Sequence, residues 1–347
     1  MSDFIRPGRL RPGDTVAVLS PSWGGPSRYP HVFDLGLRNL QSEFGLKIKE
    51  LPTARRDADD LYRNPQTRAE DINAAFADEE VRAIVASIGG DDSVRILPYL
   101  DLDTILGNPK ILLGYSDTTT LTSYLNQKGL VTFNGPAVMA GFAQMRHLPP
   151  EFAMHVRRVL MEPEETMEYR AYPAWANDYI DWNTPDYDGE TAPLRPHDGW
   201  RWLQGGGVHT GRLFGGCIEV FEFLKATAFW PDPGFWDGKI LFFETSEDKP
   251  SIQAVIWWLR NYGSAGILDR IVGVLFGRAR DYSDEEKREL DSAILRVVAG
   301  EFGRTDLSIV TNLDFGHTDP QWILPLGVMA EIDFDGQRLR LLEPAAV

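Results

Sequence analysis

The chain has 347 residues, a formal net charge of −16 at pH 7, and is 43% hydrophobic and 25% charged. That length exceeds one ordinary core and predicts two domains of a soluble globular protein. So acidic a surface excludes DNA or RNA as a general partner, leaving room for a local basic pocket that takes a small anion.

The single cysteine, Cys217, permits no internal disulfide and no cysteine-based zinc site. The segment Met1 to Pro7 lacks the apolar core and cleavage site of a secretory signal. No apolar run reaches membrane-spanning length, so a cytoplasmic protein with no membrane partner is expected. Ten tryptophans are many for this length, and their clustering between 175 and 258 suggests an aromatic surface or pocket.

Strands and helices alternate from the start. Asp14 to Ser20 reads as a buried strand, Pro21 to Gly25 as a turn, and 30–44 as a helix. Leu46–Leu51 is a second strand, Arg68–Asp78 a helix, and Val81–Ile88 a third strand ending at Gly89-Gly90. Ser93–Tyr99 is a short helix, and Lys110–Leu113 a fourth strand. This alternation predicts a doubly wound, mostly parallel α/β sheet, in which sites form beyond the carboxyl ends of strands.

The stretch Tyr169–Gly207 is rich in Trp, Tyr, Pro, Asp and Gly and shows little periodicity. Its aromatics argue against disorder, so a structured lid is expected. Beyond it, Gly211–Gly216 leads into a helix at about 217–224 and Lys239–Glu244 is a strand. A helix at Ser251–Tyr262, a strand at Ile271–Gly277, a helix at Glu285–Val298 and a strand at Ser308–Thr311 follow, with antiparallel strands over Val328–Leu342. The expected division is an N-terminal α/β domain over 1–165, an aromatic insert over 166–207, and a C-terminal β-rich α/β domain over 208–347.

The chemistry centres on Gly114-Tyr115-Ser116-Asp117, where an apolar strand runs into a glycine and a serine just before a helix. Such a turn lifts a nucleophile out of the sheet. The pattern departs from the usual Gly-x-Ser-x-Gly elbow. Among six histidines, His317 stands out, directly after a strand and flanked by Gly316 and a turn. His155, on an amphipathic helix with Arg157 and Arg158, reads as solvated. His31 and His147 lie in polar surroundings. Glu244 ends a strongly apolar strand, where an unpaired carboxylate is costly. Taken singly, each of Ser116, Glu244 and His317 is more often an ordinary turn or strand end. Together they form a nucleophile, orienting carboxylate and base, with hydrogen bonds expected at about 2.6–3.2 Å, looser without ligand. Oxyanion donors are expected from the backbone N–H of Asp117 and from Gly89-Gly90, which also reads as a tight strand-to-helix turn. No Lys-Ser/Thr and no Gly-x-Gly-x-x-Gly spacing follow Gly89-Gly90. Dinucleotide and P-loop readings are therefore weak, and neither a cofactor nor a metal is expected.

The ordered segments Ser20-Pro21-Ser22, Ser87-Ile88-Gly89-Gly90, Gly114-Tyr115-Ser116-Asp117, Leu213-Phe214-Gly215-Gly216, Phe243-Glu244-Thr245-Ser246-Glu247 and Phe315-Gly316-His317 resemble the LD-carboxypeptidase family of serine peptidases. The resemblance spans essentially the whole chain. It implies a Ser116–Glu244–His317 triad, a site at the interface of the two domains, and a homodimer. Glu244–Glu247 and the long aromatic insert bring the chain nearer to the microcin C self-immunity branch than to the muropeptide-recycling enzymes. In that branch the insert supplies an aromatic that stacks on a nucleobase. Trp182 is the candidate here, with an aromatic plug between the domains as its equal alternative. Lys249 is either an anchor for a substrate carboxylate or a plain surface lysine. The leading function is hydrolysis of an amide in a peptidyl or aminoacyl nucleotide conjugate or of an L,D-peptide bond. A cell-wall LD-carboxypeptidase and a non-catalytic two-domain small-molecule binder are the alternatives.

Overall fold

The computed structural model describes residues 4–347. Sixteen strands are named in chain order, the first five being β1 (Thr15–Leu19), β2 (Lys47–Glu50), β3 (Val81–Ala86), β4 (Ile111–Gly114) and β5 (Thr132–Asn134). The insert holds β6 (Met167–Glu168), β7 (Ala174–Trp175), β8 (Arg195–Pro196) and β9 (Arg201–Gln204). Beyond it lie β10 (Val208–Cys217), β11 (Lys239–Glu244), β12 (Gly273–Gly277), β13 (Ser308–Leu313), β14 (Leu324–Leu326), β15 (Met329–Asp333) and β16 (Arg338–Leu341).

The first sheet has the order β14-β5-β4-β3-β1-β2. Its five N-terminal strands are parallel, and β14 is antiparallel to β5. Helices cover its faces, so β4 is buried along its whole length. Continuous apolar runs such as Ile111-Leu112-Leu113 are the sequence signature of such strands. The second sheet has the order β6-β16-β15-β10-β11-β12-β13-β9, with β10 to β13 parallel and the outer pairings antiparallel.

The expected α/β alternation is present, with three differences. Val208–Cys217 is one ten-residue strand, and the helix placed at 217–224 shrinks to Phe221–Leu224. Glycine-rich sequence reads as a turn. Here a Cβ at Gly215 would meet the Phe242 carbonyl oxygen at 1.8 Å, so the glycine lets neighbouring strands approach closely. Next, Leu324–Leu326 leaves its own half and extends the N-terminal sheet, pairing with Thr132–Asn134. Finally, β9 runs from the insert into the second sheet, beside β13. No described helix is long and apolar enough to cross a membrane.

Candidate active site

Beyond Gly114 the chain turns through Tyr115 into a 3-10 turn, Ser116–Thr118, and then the helix Thr119–Gln127. Ser116 holds a φ of 57°. That left-handed conformation costs a residue with a Cβ on the order of 1–3 kcal/mol and persists only where the surroundings impose it. Gly89 lies against it: a Cβ there would sit 2.7 Å from both Cβ and Oγ of Ser116. Gly90 has a φ of 149°, and its N–H donates to no described loop acceptor. Asp117 is fully buried. Its carboxylate accepts the Ser93 N–H at 2.8 Å, and its carbonyl accepts the Ser93 hydroxyl at 2.7 Å. The side chain pins the turn.

From the second sheet come the other two groups. Glu244 is the last residue of β11 and is fully buried. Its Oε2 lies 2.6 Å from His317 Nδ1. Gly316 makes this approach feasible, because a Cβ there would sit 2.8 Å from Glu244 Cβ. Burial pushes the Glu244 carboxyl up, against the lowering effect of His317. For His317, burial alone would lower the pKa, but Glu244 and Glu247 outweigh it and push it up to about 10. No hydrogen bond joins Ser116 to His317. Instead, His317 Nε2 faces Glu247 Oε2 at 3.0 Å.

Gly89, Gly90, Ser116, Trp182 and His317 all line one cavity of about 400 Å³ between the two sheets. Glu244 stands behind His317, outside that lining. Trp182 is half-buried, its ring set edge-on to Tyr29 at 5.3 Å, and its carbonyl lies 2.9 Å from His31 Nε2. Lys249 is not part of the cavity. Its Nζ pairs with Glu286, which also completes the capping box of the helix Asp284–Leu295. His155 is also corrected: it is buried, and its Nε2 accepts the Ile323 N–H at 2.8 Å. Its helix has a polar flank, but His155 lies on the side packed against the β14 approach.

The cavity adds residues that the sequence reading left without a role: Trp23, Tyr115, Tyr179, Glu247, Asp248 and Arg280. The Tyr115 ring packs 4.8 Å from His317, and its hydroxyl meets that of Tyr179 at 3.2 Å. The Arg280 guanidinium lies 4.3 Å over the Tyr179 ring and pairs with Asp178 at 2.9 Å. A signal existed for several of them. Trp23 follows β1, and Arg280 follows β12, at the strand ends where such sites assemble.

A strained serine, a buried carboxylate–histidine pair and a two-sheet α/β frame are the parts of a serine hydrolase. Models for the LD-carboxypeptidase N-terminal domain and the LD-carboxypeptidase C-terminal domain match residues 16–135 and 210–332. The chain belongs to the LD-carboxypeptidase family and is a serine peptidase of carboxypeptidase type. The microcin C7 self-immunity protein MccF of Escherichia coli is 28% identical over 343 residues, covering 96% of this chain and 94% of MccF. MccF has been solved in complex with aspartyl sulfamoyl adenosine, with a TM-score of 0.86 at 26% identity, covering 99% of this chain and 100% of the other. An MccF-like protein from Streptococcus pneumoniae in complex with AMP gives a TM-score of 0.84 at 28% identity, covering 95% and 98%.

Proposed function

We propose that this protein hydrolyses an amide bond in an aminoacyl or peptidyl nucleotide conjugate, with Ser116, Glu244 and His317 as its triad. Ser116 Oγ attacks the carbonyl carbon while His317 Nε2 takes the hydroxyl proton. Glu244 holds Nδ1 and stabilises the imidazolium. The N–H groups of Gly90 and Asp117 receive the oxyanion. The proton passes to the leaving nitrogen, and a water deprotonated by the same imidazole then releases the acyl group.

The observation that carries this reading is the 2.6 Å Glu244–His317 contact at the back of a cavity into which the strained Ser116 opens. The nucleotide part rests on the aromatic rim of Trp23, Tyr179 and Trp182, flat surface suited to a base. The insert 166–207, which carries Tyr179 and Trp182, is the wall that sets substrate choice. A second reading, LD-carboxypeptidase action on a cell-wall peptide, is favoured by the family. We also infer a homodimer, for which sedimentation would give twice the 39.1 kDa chain mass.

The deciding assay compares hydrolysis of aspartyl sulfamoyl adenosine and an L,D-tetrapeptide by wild type and Ser116→Ala. The alanine variant should lose roughly three or more orders of magnitude in kcat while ligand affinity changes little. Retention of more than about a tenth of wild-type turnover would remove Ser116 from its role.

A further inference from the structure

Glu247 lies three residues beyond Glu244, in the loop that follows β11, with 53% of its side chain exposed. Its carboxylate nevertheless reaches in to His317 Nε2, the nitrogen that the proposed mechanism needs free. The imidazole is 3% exposed, and Nε2 has no aligned hydrogen-bond partner even though Glu247 is 3.0 Å away. Two carboxylates therefore bracket one imidazole, Glu244 on Nδ1 and Glu247 on Nε2. Opposite charges at this distance favour the imidazolium, and an imidazolium cannot act as a base. Asp91 and Asp248 line the same cavity, and the Arg280 charge is already taken up by Asp178. The space beside the reacting atoms is thus anionic and suited to a cation.

We propose that Glu247 is a specificity-determining residue that selects substrates carrying a free α-ammonium beside the scissile carbonyl, and that this ammonium takes Glu247 away from His317. The proposal rests on the hydrolase reading above. By standard covalent geometry an α-nitrogen lies about 2.5 Å from its carbonyl carbon. A carbonyl placed over Ser116 therefore brings the ammonium close to the carboxylate that now meets His317. Once the ammonium pairs with Glu247, His317 has one negative neighbour fewer and releases its Nε2 proton to bulk water. The free Nε2 then accepts the Ser116 proton as Oγ bonds to the carbonyl carbon, and that proton leaves on the expelled nitrogen. The remaining groups near His317 are Glu244 from β11, Asp319 from its own loop, Tyr115 from the turn after β4, and Arg280 from the loop after β12. They are present in both states and do not distinguish substrates. An N-acylated residue, as in a longer peptidyl conjugate, carries no charge at this nitrogen and leaves Glu247 on His317.

The test measures kcat/KM for wild type and Glu247→Gln on alanyl sulfamoyl adenosine with its α-amine free or acetylated. Wild type should favour the free amine by about 10- to 100-fold, the scale of a hydrogen bond to a charged group. In Glu247→Gln that ratio should fall towards one. The acid limb of the variant's kcat/KM profile on the acetylated substrate should also move to lower pH, because one carboxylate neighbour of His317 is gone. Equal wild-type rates on the two substrates, or a preference that survives Glu247→Gln, would overturn the proposal. Turnover of neither substrate would instead overturn the hydrolase reading beneath it.

Discussion

His317 and Asp319 show how position in the fold sets charge. Both sit on the loop after β13 and both are buried, yet they are pushed in different ways. Glu244 and Glu247 push the His317 pKa up against the lowering effect of burial. Asp319 is 1% exposed, neither of its carboxylate oxygens has a hydrogen-bond partner, and burial pushes it up to about 6 from an ordinary 3.8. An acid whose folded pKa is raised contributes stability that is complete below its unfolded value and lost as pH rises through its folded value. The window here runs from about 4 to about 6. Asp319→Asn cannot ionise, so it should match wild type near pH 4. Above pH 6 it should exceed wild type by up to about 3 kcal/mol. Thermal melts at pH 4 and pH 7.5 measure this, and an equal Tm difference at both would contradict it.

At the scale of elements, the insert over 166–207 is the least regular part of the chain and supplies Tyr179 and Trp182 to the cavity lining. Trp175 and Tyr187 are buried, whereas Tyr179 and Trp182 keep an open side towards the cavity. Stacking one base on one aromatic is worth about 1–3 kcal/mol. Trp182→Ala should therefore lower kcat/KM on a nucleotide conjugate by about 5- to 150-fold and leave a small L,D-peptide far less affected. Equal losses on both substrates would make Trp182 a plug between the sheets. The same scale explains the misreading of β10. Gly211, Gly215 and Gly216 look like turn residues along the chain, but they are small because neighbouring strands and Thr119 lie against them.

For the whole molecule, the two halves are bound by more than a shared cleft. β14 extends the first sheet, Cys217 N–H donates to Thr119 Oγ1 at 3.1 Å, and Val347 exchanges backbone hydrogen bonds with Pro7 and Arg9. The C-terminal half cannot unfold without stripping an edge strand from the N-terminal sheet. Calorimetry should give a single transition, with calorimetric and van't Hoff enthalpies in agreement. Two resolved transitions would show that β14 couples the halves weakly. By itself the sequence determined the strand–helix alternation and the strand-end positions of Ser116, Glu244 and His317. Apolar runs and glycine turns are local signals, set by burial and backbone geometry within a few residues. The tertiary structure decided what meets what. It brought Glu247 onto His317, turned His155 inward, took Lys249 out of the cavity and carried Leu324–Leu326 into the other sheet. Those outcomes depend on contacts between segments tens to hundreds of residues apart, and no local pattern of side chains encodes such distances.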